Sequence, residues 1–212
     1  MEYQYSSAAP ADDTHSYLLP AVRLALRSRP PPRPLFELGC GNGVVARALA
    51  DLGYSITAVD TSESGVALTK SVVPNGVIQV GSAYDDLASV HGRFDVLISL
   101  EVIEHLYYPA RAATVISDLL NPGGIAVIST PYHGYLKNVA ISLAGKWDSH
   151  HTALWEGGHI KFWSRRTLRE LFGRARLEEV ACHRVGRIPP LAKSMVCVFV
   201  KSETGEPYEG AG

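Results

Sequence analysis

The feature that most constrains this chain is a glycine-rich stretch at residues 36–43, with the sequence FELGCGNG. Its apolar start predicts the end of a β-strand, and residues 44–51 then place apolar side chains at helical spacing. Closely spaced glycines adopt backbone conformations that other residues rarely take, and they let a ligand lie against the main chain. Because the start of a helix also presents unpaired N–H groups, this strand, turn and helix predict a nucleotide-like binding site.

Two acidic residues sharpen that prediction. Glu37 stands at the end of the predicted strand, just before the first glycine, and Asp60 ends the next apolar run, residues 56–59. In an open α/β sheet, an acid in the position of Asp60 reaches ribose hydroxyls. The glycine spacing alone also fits a dinucleotide site, but the two acids favour a nucleoside cofactor without a pyrophosphate.

The rest of the chain alternates between strand and helix patterns. Strands are predicted near 35–38, 55–59, 76–80, 94–99 and 124–130, and helices at 44–51, 63–70 and 109–120. This alternation predicts parallel strands with helices on both faces of the sheet. Two strand-like runs without a helix between them, 177–184 and 194–200, predict a final hairpin. We therefore predict an α/β fold, doubly wound, with a mainly parallel seven-stranded sheet and a final antiparallel strand.

The predicted organisation is one binding domain, residues 35–200, with flanking segments and an insertion. Residues 1–34 form an N-terminal tail and a helix, and the tail is either a frayed terminus or a lid. Residues 201–212 are predicted to be a flexible tail. The insertion, residues 131–163, follows the fifth strand and contains all three tryptophans and half of the eight histidines.

The glycine stretch and the motifs after it resemble the class I S-adenosylmethionine-dependent methyltransferases. The matches are residues 37–43 with Asp60, then 94–98, 101–105 and 120–124. They are closest to the ubiquinone-biosynthesis O-methyltransferase group and span residues 35 to 200. The resemblance implies S-adenosylmethionine as the cofactor. It places the cofactor against Glu37, Gly39, Cys40, Gly41, Asn42, Gly43, Asp60, Thr61, Ser82, Ala83 and Leu100.

One motif departs from the family pattern. In the family, an acid after the third strand commonly holds the adenine amino group, whereas this chain has Ser82 and Ala83 there and Asp85 later. The candidates for the adenine contact are the backbone near Ala83 and the side chain of Asp85.

The segment after the fourth strand carries Glu101, Glu104 and His105. In a helical turn these residues fall at i, i+3 and i+4 and share one side. Two carboxylates and an imidazole at this edge of the sheet bind a divalent cation or orient a general base. The alternative is that they only shape the cofactor pocket.

Resemblance to ubiquinone-biosynthesis and small-RNA 2′-O-methyltransferases adds a later histidine, His159, to this set. The implied metal ligands are Glu101, Glu104, His105 and His159. Mixed oxygen and nitrogen ligands suit Mg²⁺, Mn²⁺ or Zn²⁺ without choosing among them. The candidate catalytic residues are His105, His159 and Glu101, acting as base or ligand.

The insertion supplies the predicted acceptor pocket, since long connections are often functional and aromatic side chains line ligand pockets. The candidate substrate contacts are Tyr132, His133, Tyr135, Trp147 and Trp155. A small satellite core is the alternative interpretation of these residues.

Composition limits the kinds of binding partner and compartment that the sequence predicts. The net charge of −1 gives no general attraction to nucleic acid. No uncharged apolar run is long enough to span a bilayer, and three cysteines without paired spacing favour a reducing, cytoplasmic compartment. The sequence thus predicts a methyltransferase acting on a small-molecule hydroxyl, phenolic or similar, as a monomer or homodimer. The alternatives are an N- or RNA 2′-O-methyltransferase and a non-catalytic module that binds S-adenosylmethionine.

Overall fold

The computed structural model describes residues 4–5, 14–151 and 153–203, and its helices and strands alternate through most of that range. The strands are β1 Pro34–Leu38, β2 Ser55–Asp60, β3 Val77–Val80, β4 Phe94–Leu100, β5 Leu120–Pro131, β6 Leu177–Val185 and β7 Ser194–Lys201. The α-helices are α1 Thr14–Ala25, α2 Val44–Ala50, α3 Glu63–Val72, α4 Leu87–His91, α5 Pro109–Asp118, α6 Tyr135–Leu143, α7 Trp147–His151 and α8 Arg165–Arg174.

The strands form one seven-stranded sheet in the order β3-β2-β1-β4-β5-β7-β6. The pairs among β1 to β5 are parallel, whereas β7 runs antiparallel to both of its neighbours, β5 and β6. This architecture confirms the predicted fold and the predicted final hairpin. The strand order reverses between β1 and β4, and in such sheets ligands bind outside the carboxyl ends of the strands at that reversal.

Both faces of the sheet are buried, because neighbouring residues of each strand point to opposite sides. On β4, Val96 and Ile98 belong to a core cluster that includes side chains of α1, α2 and α3. Leu97, between them, belongs to a second cluster with side chains of α5 and α8. The carboxyl ends of β1, β2, β4 and β5 therefore extend from a sheet that is packed on both sides.

Several boundaries differ from the prediction. The sequence predicts a first helix over residues 15–28, but the helix ends at Ala25 and continues as a 3₁₀ turn; the short helix α4 was not predicted. The fifth strand was predicted at residues 124–130, but β5 already pairs through Leu120 and resumes pairing at Ile125. Residues 121–124 are therefore an interruption within the strand rather than its start.

The cysteine prediction was wrong for two of the three cysteines. Cys182 on β6 faces Cys197 on β7, and the two form a disulfide. The register of a hairpin pairs residues whose spacing in the sequence does not predict the pairing. Cys40 is free and buried. The pairing removes the cysteine argument for a reducing compartment.

Two other predictions, on membrane-spanning helices and on the terminal tails, can be compared only with the described residues. None of the helices in the described part of the chain combines the length and hydropathy of a bilayer span. Of the two predicted tails, residues 1–3, 6–13 and 204–212 lie outside the described residues.

Candidate cofactor and acceptor site

The glycine turn between β1 and α2 depends on glycine at several positions. Gly39, Gly41 and Gly43 all have positive φ angles, of 84°, 51° and 80°, which side chains other than glycine rarely adopt. A Cβ at Gly43 would also lie 2.8 Å from the Thr69 backbone of α3. The backbone of Gly39 donates to the Val59 carbonyl at 2.8 Å, so the turn is held against the end of β2.

Asp60 faces this turn, as its place at the end of β2 predicts. One carboxylate oxygen accepts from the backbone N–H of Gly41 and the other from that of Ser62, each at 2.8 Å. A carboxylate oxygen accepts more than one hydrogen bond. Asp60 can therefore hold the turn and still accept from ligand hydroxyls.

Glu37 lies behind the same turn and is only 2% exposed. Its Oε2 has no hydrogen-bond partner among the described residues. Burial, and then the charge of Asp60, raise its pKa well above the usual range for glutamate. A buried acceptor without a partner is costly, so this oxygen is suited to a donor or a positive charge on a ligand.

Tyr5 covers the turn from the N-terminal side. Its backbone N–H donates to Ser64 Oγ at 2.9 Å, and its ring lies so close to Gly41 that an added Cβ there would come within 3.0 Å of the hydroxyl. This short piece of the predicted tail thus lies over the glycine turn.

We expect Tyr5→Ala to weaken S-adenosylmethionine binding by about tenfold, because loss of an aromatic cover costs roughly 1–1.5 kcal/mol. Isothermal titration of both proteins with the cofactor measures the effect, and Tyr135→Ala is a matched control because Tyr135 is 82% exposed. Tighter binding by the Tyr5 variant would contradict this prediction and would show that the ring occupies the cofactor's place.

The remaining predicted cofactor contacts differ in their burial and in the groups that they can present to a ligand. The Cys40 thiol is buried, and burial first raises its pKa to about 12, so Cys40 contributes backbone rather than a reactive sulfur. Asp85 accepts from the backbone N–H of Ser82 at 2.7 Å and caps its own turn. Of the others, Asn42 and Ala83 are buried, Leu100 is half-buried and Thr61 is exposed.

The acid–histidine segment does not form the helical turn that the spacing argument assumed. Glu101 has a positive φ of 54° and precedes a 3₁₀ turn, Ile103–His105. Its carboxylate accepts from Ser129 Oγ at 2.7 Å and from Ser194 Oγ at 3.3 Å. Burial raises the Glu101 pKa to about 7. Two serines therefore hold the Glu101 carboxylate.

Glu104, His105 and His159 converge, with one ligand atom from each lying within 4.8 Å of the others. Glu104 is 0% exposed, and neither carboxylate oxygen has a hydrogen-bond partner among the described residues. The nearest imidazole nitrogen, His159 Nε2, is 3.9 Å away. Burial, and then the charge of Glu101, raise the Glu104 pKa well above its usual range. We call these three residues the acid–histidine cluster.

Backbone carbonyls next to His105 set its tautomer. His105 Nδ1 lies 2.8 Å from the Gly157 carbonyl and 3.2 Å from that of Gly158. Carbonyls only accept, so Nδ1 carries the hydrogen and the other ring nitrogen, Nε2, keeps its lone pair. Metal-binding histidines commonly donate their second N–H in this way. Burial, and then His105, lower the His159 pKa to about 4, which leaves that ring neutral at physiological pH.

Backbone contacts fix the end of the insertion against this cluster. The Glu104 carbonyl accepts from the N–H groups of Ile160 and Lys161, both at 3.0 Å. His159 is thereby held beside the turn that carries Glu104 and His105. A buried carboxylate beside two imidazoles, with the Thr130 hydroxyl near it, fits a divalent cation.

The insertion folds as α6, α7 and a following segment around a cavity of about 250 Å³. Of the predicted substrate contacts, His133 lines this cavity, and so does His159 of the cluster. Trp155 lies near the cluster, with its ring centroid 5.5 Å from that of His159. The Trp147 ring is tilted against that of His151, which lines the cavity, with 4.2 Å between the ring centroids. Tyr132 and Tyr135 do not line it.

Sequence reasoning missed the cations of this cavity, Lys137, Arg187 and Lys193. Lys137 lies on α6, whereas the other two come from the connection between β6 and β7. Nothing in the spacing of these residues links them, because the two elements meet only in the folded chain.

Comparisons with known proteins agree with this fold. A family model described as a methyltransferase domain matches residues 11–181. The ubiquinone biosynthesis O-methyltransferase of Caulobacter sp. (strain K31) is 32% identical over 115 residues, which are 52% of this chain and 45% of that enzyme. The chain spans about half the length of the curated relatives it matches.

Solved structures show the same architecture. A protein from Pyrococcus horikoshii OT3 superposes with a TM-score of 0.70 at 16% identity, covering 93% of this chain and 95% of that one. Magnesium protoporphyrin IX methyltransferase from Synechocystis PCC 6803, solved with bound SAH, gives a TM-score of 0.65 at 18% identity, covering 87% and 82%. With the glycine turn and Asp60 in place and a family model that spans most of its length, this chain belongs to the class I S-adenosylmethionine-dependent methyltransferases.

Proposed function

We propose that this protein transfers the methyl group of S-adenosylmethionine to a hydroxyl of a small molecule, and that the acid–histidine cluster activates that hydroxyl. The observation that carries the proposal is Glu104, a fully buried carboxylate without a hydrogen-bond partner among the described residues, beside two histidines at the carboxyl edge of the sheet. The name of the Caulobacter relative, an O-methyltransferase, supports a hydroxyl as the acceptor.

The cofactor residues have separate roles in this proposal. Asp60 accepts from the ribose hydroxyls while it holds the glycine turn. Glu37 accepts from the amino acid part of the cofactor with its unpartnered oxygen. The positive φ angles of the turn let the cofactor lie against bare backbone. Holding both reactants in line supplies much of the catalysis, up to about 7–11 kcal/mol in the best intramolecular reactions.

The acceptor hydroxyl must also lose its proton, and a phenol has a pKa of about 10. With a pKa of about 4, His159 is a weak base for that task. Its neutral ring favours the role of ligand over that of base, together with His105 and Glu104. A divalent cation bound there would lower the pKa of the hydroxyl directly.

Incubation with S-adenosylmethionine and catechol tests the proposal. We expect methylated catechol by mass spectrometry, activity that falls on treatment with a chelator, and recovery on adding Mg²⁺, Mn²⁺ or Zn²⁺. Unchanged activity after chelation would contradict the metal role and leave methyl transfer intact. Transfer to an RNA terminus but to no small hydroxyl would favour the RNA alternative, and cofactor binding without any transfer would favour the binding module.

We expect the affinity for Mn²⁺ to rise with pH, because protons compete with the cation for ligands whose pKa is raised. Burial, and then the charge of Glu101, raise the Glu104 pKa well above its usual range. Binding of the cation must therefore displace any proton that Glu104 holds. Titration calorimetry in two buffers of different ionisation enthalpy measures this release. An affinity that falls with pH would contradict the assignment.

A further inference from the structure

The cavity beside the acid–histidine cluster is lined by positive or neutral polar groups. Lys137, Arg187 and Lys193 are its cations, and four histidines, including His133 and His159, line it as well. None of its lining residues carries a carboxylate. Phe162 and Pro131 complete the wall with apolar surface.

Among the described residues, the three cations have no acidic side chain in direct contact, and Glu101 acts on Lys137 only through its charge, which raises the Lys137 pKa. In the described part of the chain, none of them forms an ion pair with an acidic side chain. Lys137 is only 8% exposed, and its Nζ donates to the carbonyls of Tyr132, at 2.8 Å, and Lys193, at 3.4 Å. An ammonium group has three donors, so one N–H remains. Buried charges are normally paired, and this site therefore favours an anion.

A second metal site does not explain the histidines. Across the described residues, the groups of three ligands that converge within 4.8 Å are the acid–histidine cluster and a group on β6 and β7. His133, His150 and His151 are in neither group. The neighbouring lysines and arginine would also repel a metal ion.

The titration behaviour of the cavity points the same way. Burial, and then the charge of Lys137, lower the His133 pKa to about 4. Burial, and then Arg187, lower the Lys137 pKa to about 8. These groups disfavour one another's charge, and a bound anion would relieve that repulsion.

We propose that this cavity binds a carboxylate or phosphate group of the methyl acceptor, so that the substrate is a small aromatic hydroxy acid or hydroxyaryl phosphate. The proposal rests on the proposed function, because it names the substrate of that site. His159 lines the cavity and belongs to the cluster, so one molecule reaches both. The volume of about 250 Å³ lies below the roughly 300–1,000 Å³ of drug-sized pockets and suits a single ring.

A matched pair of acceptors tests this proposal. 3,4-Dihydroxybenzoate and its methyl ester share the same hydroxyls and differ in the negative charge, and a dihydroxyphenyl phosphate forms the third arm. We expect the better anionic acceptor to exceed the ester in kcat/KM by about tenfold or more, as a charged pair at a partly desolvated site provides. The better of the two anionic arms identifies carboxylate or phosphate as the natural group.

Substitutions of the cavity cations test whether these residues cause the preference for an anionic acceptor. Arg187→Gln, at an exposed position, and Lys137→Met, at a buried one, should bring the ratio of kcat/KM between the anion and the ester most of the way to one. Lys146→Gln, which removes an exposed cation of the same insertion outside the cavity, should keep the preference. An ester that is methylated as well as both anions, or an Arg187→Gln variant that lowers all acceptors equally, would overturn the proposal.

Measurements of anion binding distinguish failure of this proposal from failure of the proposed function. Benzoate and inorganic phosphate are titrated into the protein saturated with the demethylated cofactor, and at least one should bind in the wild type and more weakly in Arg187→Gln. Binding of this kind without transfer to any acceptor would support the cavity assignment and overturn the proposed function. Transfer to the ester with no binding of either anion would overturn the cavity assignment alone.

Discussion

Replacing Asp60 with alanine is expected to weaken S-adenosylmethionine binding by about a hundredfold. The substitution removes the acceptors proposed for the ribose, and hydrogen bonds to a charged group each contribute about 1.5–3 kcal/mol. It also releases the backbone N–H groups of Gly41 and Ser62, which Asp60 holds at 2.8 Å. Because about 1.4 kcal/mol is tenfold in affinity, the combined loss reaches two orders of magnitude. Titration calorimetry with the cofactor measures it.

Two further variants make the Asp60 result specific. Asp60→Asn keeps one acceptor oxygen and should bind with intermediate affinity. Asp95 lies near the amino end of β4, away from the carboxyl ends of the strands, and pairs with Arg33 at 3.2 Å. Asp95→Ala should therefore bind the cofactor normally. An Asp60→Ala protein that folds and binds with wild-type affinity would contradict the assignment of the ribose contact.

Replacing His159 with alanine is expected to lower the turnover number by about 10²–10⁴-fold, the range that histidine general-base catalysis contributes and that we expect for loss of a ligand. His159 Nε2 is 3.9 Å from Glu104 Oε1, so its removal opens the acid–histidine cluster. Cofactor affinity should stay the same, because the contacts of His159, with Glu104, His105 and Trp155, lie outside the glycine turn. Steady-state methyl transfer to catechol, with and without Mn²⁺, provides the measurement.

His183→Ala is the matched control, since His183 lies on β6 and is neither in the cluster nor among the residues that line the cavity. The two proposed roles of His159 separate by metal affinity. Loss of Mn²⁺ binding together with turnover identifies a ligand, whereas loss of turnover alone identifies a base. A His159→Ala protein with wild-type turnover would remove both roles.

The cofactor half of the site was predictable because its determinants are local. A strand, a glycine turn and a helix follow one another within residues 36–50, and Asp60 ends the neighbouring strand, so the alternating pattern alone places it near the turn. The structure has Asp60 accepting from the Gly41 backbone, as that placement requires. Local spacing and parallel pairing leave little freedom here.

The acceptor half depends on contacts between distant segments, and the sequence predicted less of it. Glu101 adopts a positive φ that breaks the helical spacing assumed for Glu101, Glu104 and His105, and no spacing rule reveals that angle. His159 reaches the cluster through backbone bonds at residues 160 and 161, and it was identified only from the family resemblance. Lys137 and Arg187 meet because the β6–β7 connection passes over α6, which no periodicity encodes.

A crystal structure of the protein with S-adenosylhomocysteine and Mn²⁺ tests both halves of the site most directly. We expect ribose hydroxyls within hydrogen-bond distance of Asp60, the cofactor backbone along residues 39–43, and an anomalous peak bounded by Glu104, His105 and His159. A cofactor bound away from Asp60, or a Tyr5 ring that fills the place of the adenosyl group, would contradict this expectation.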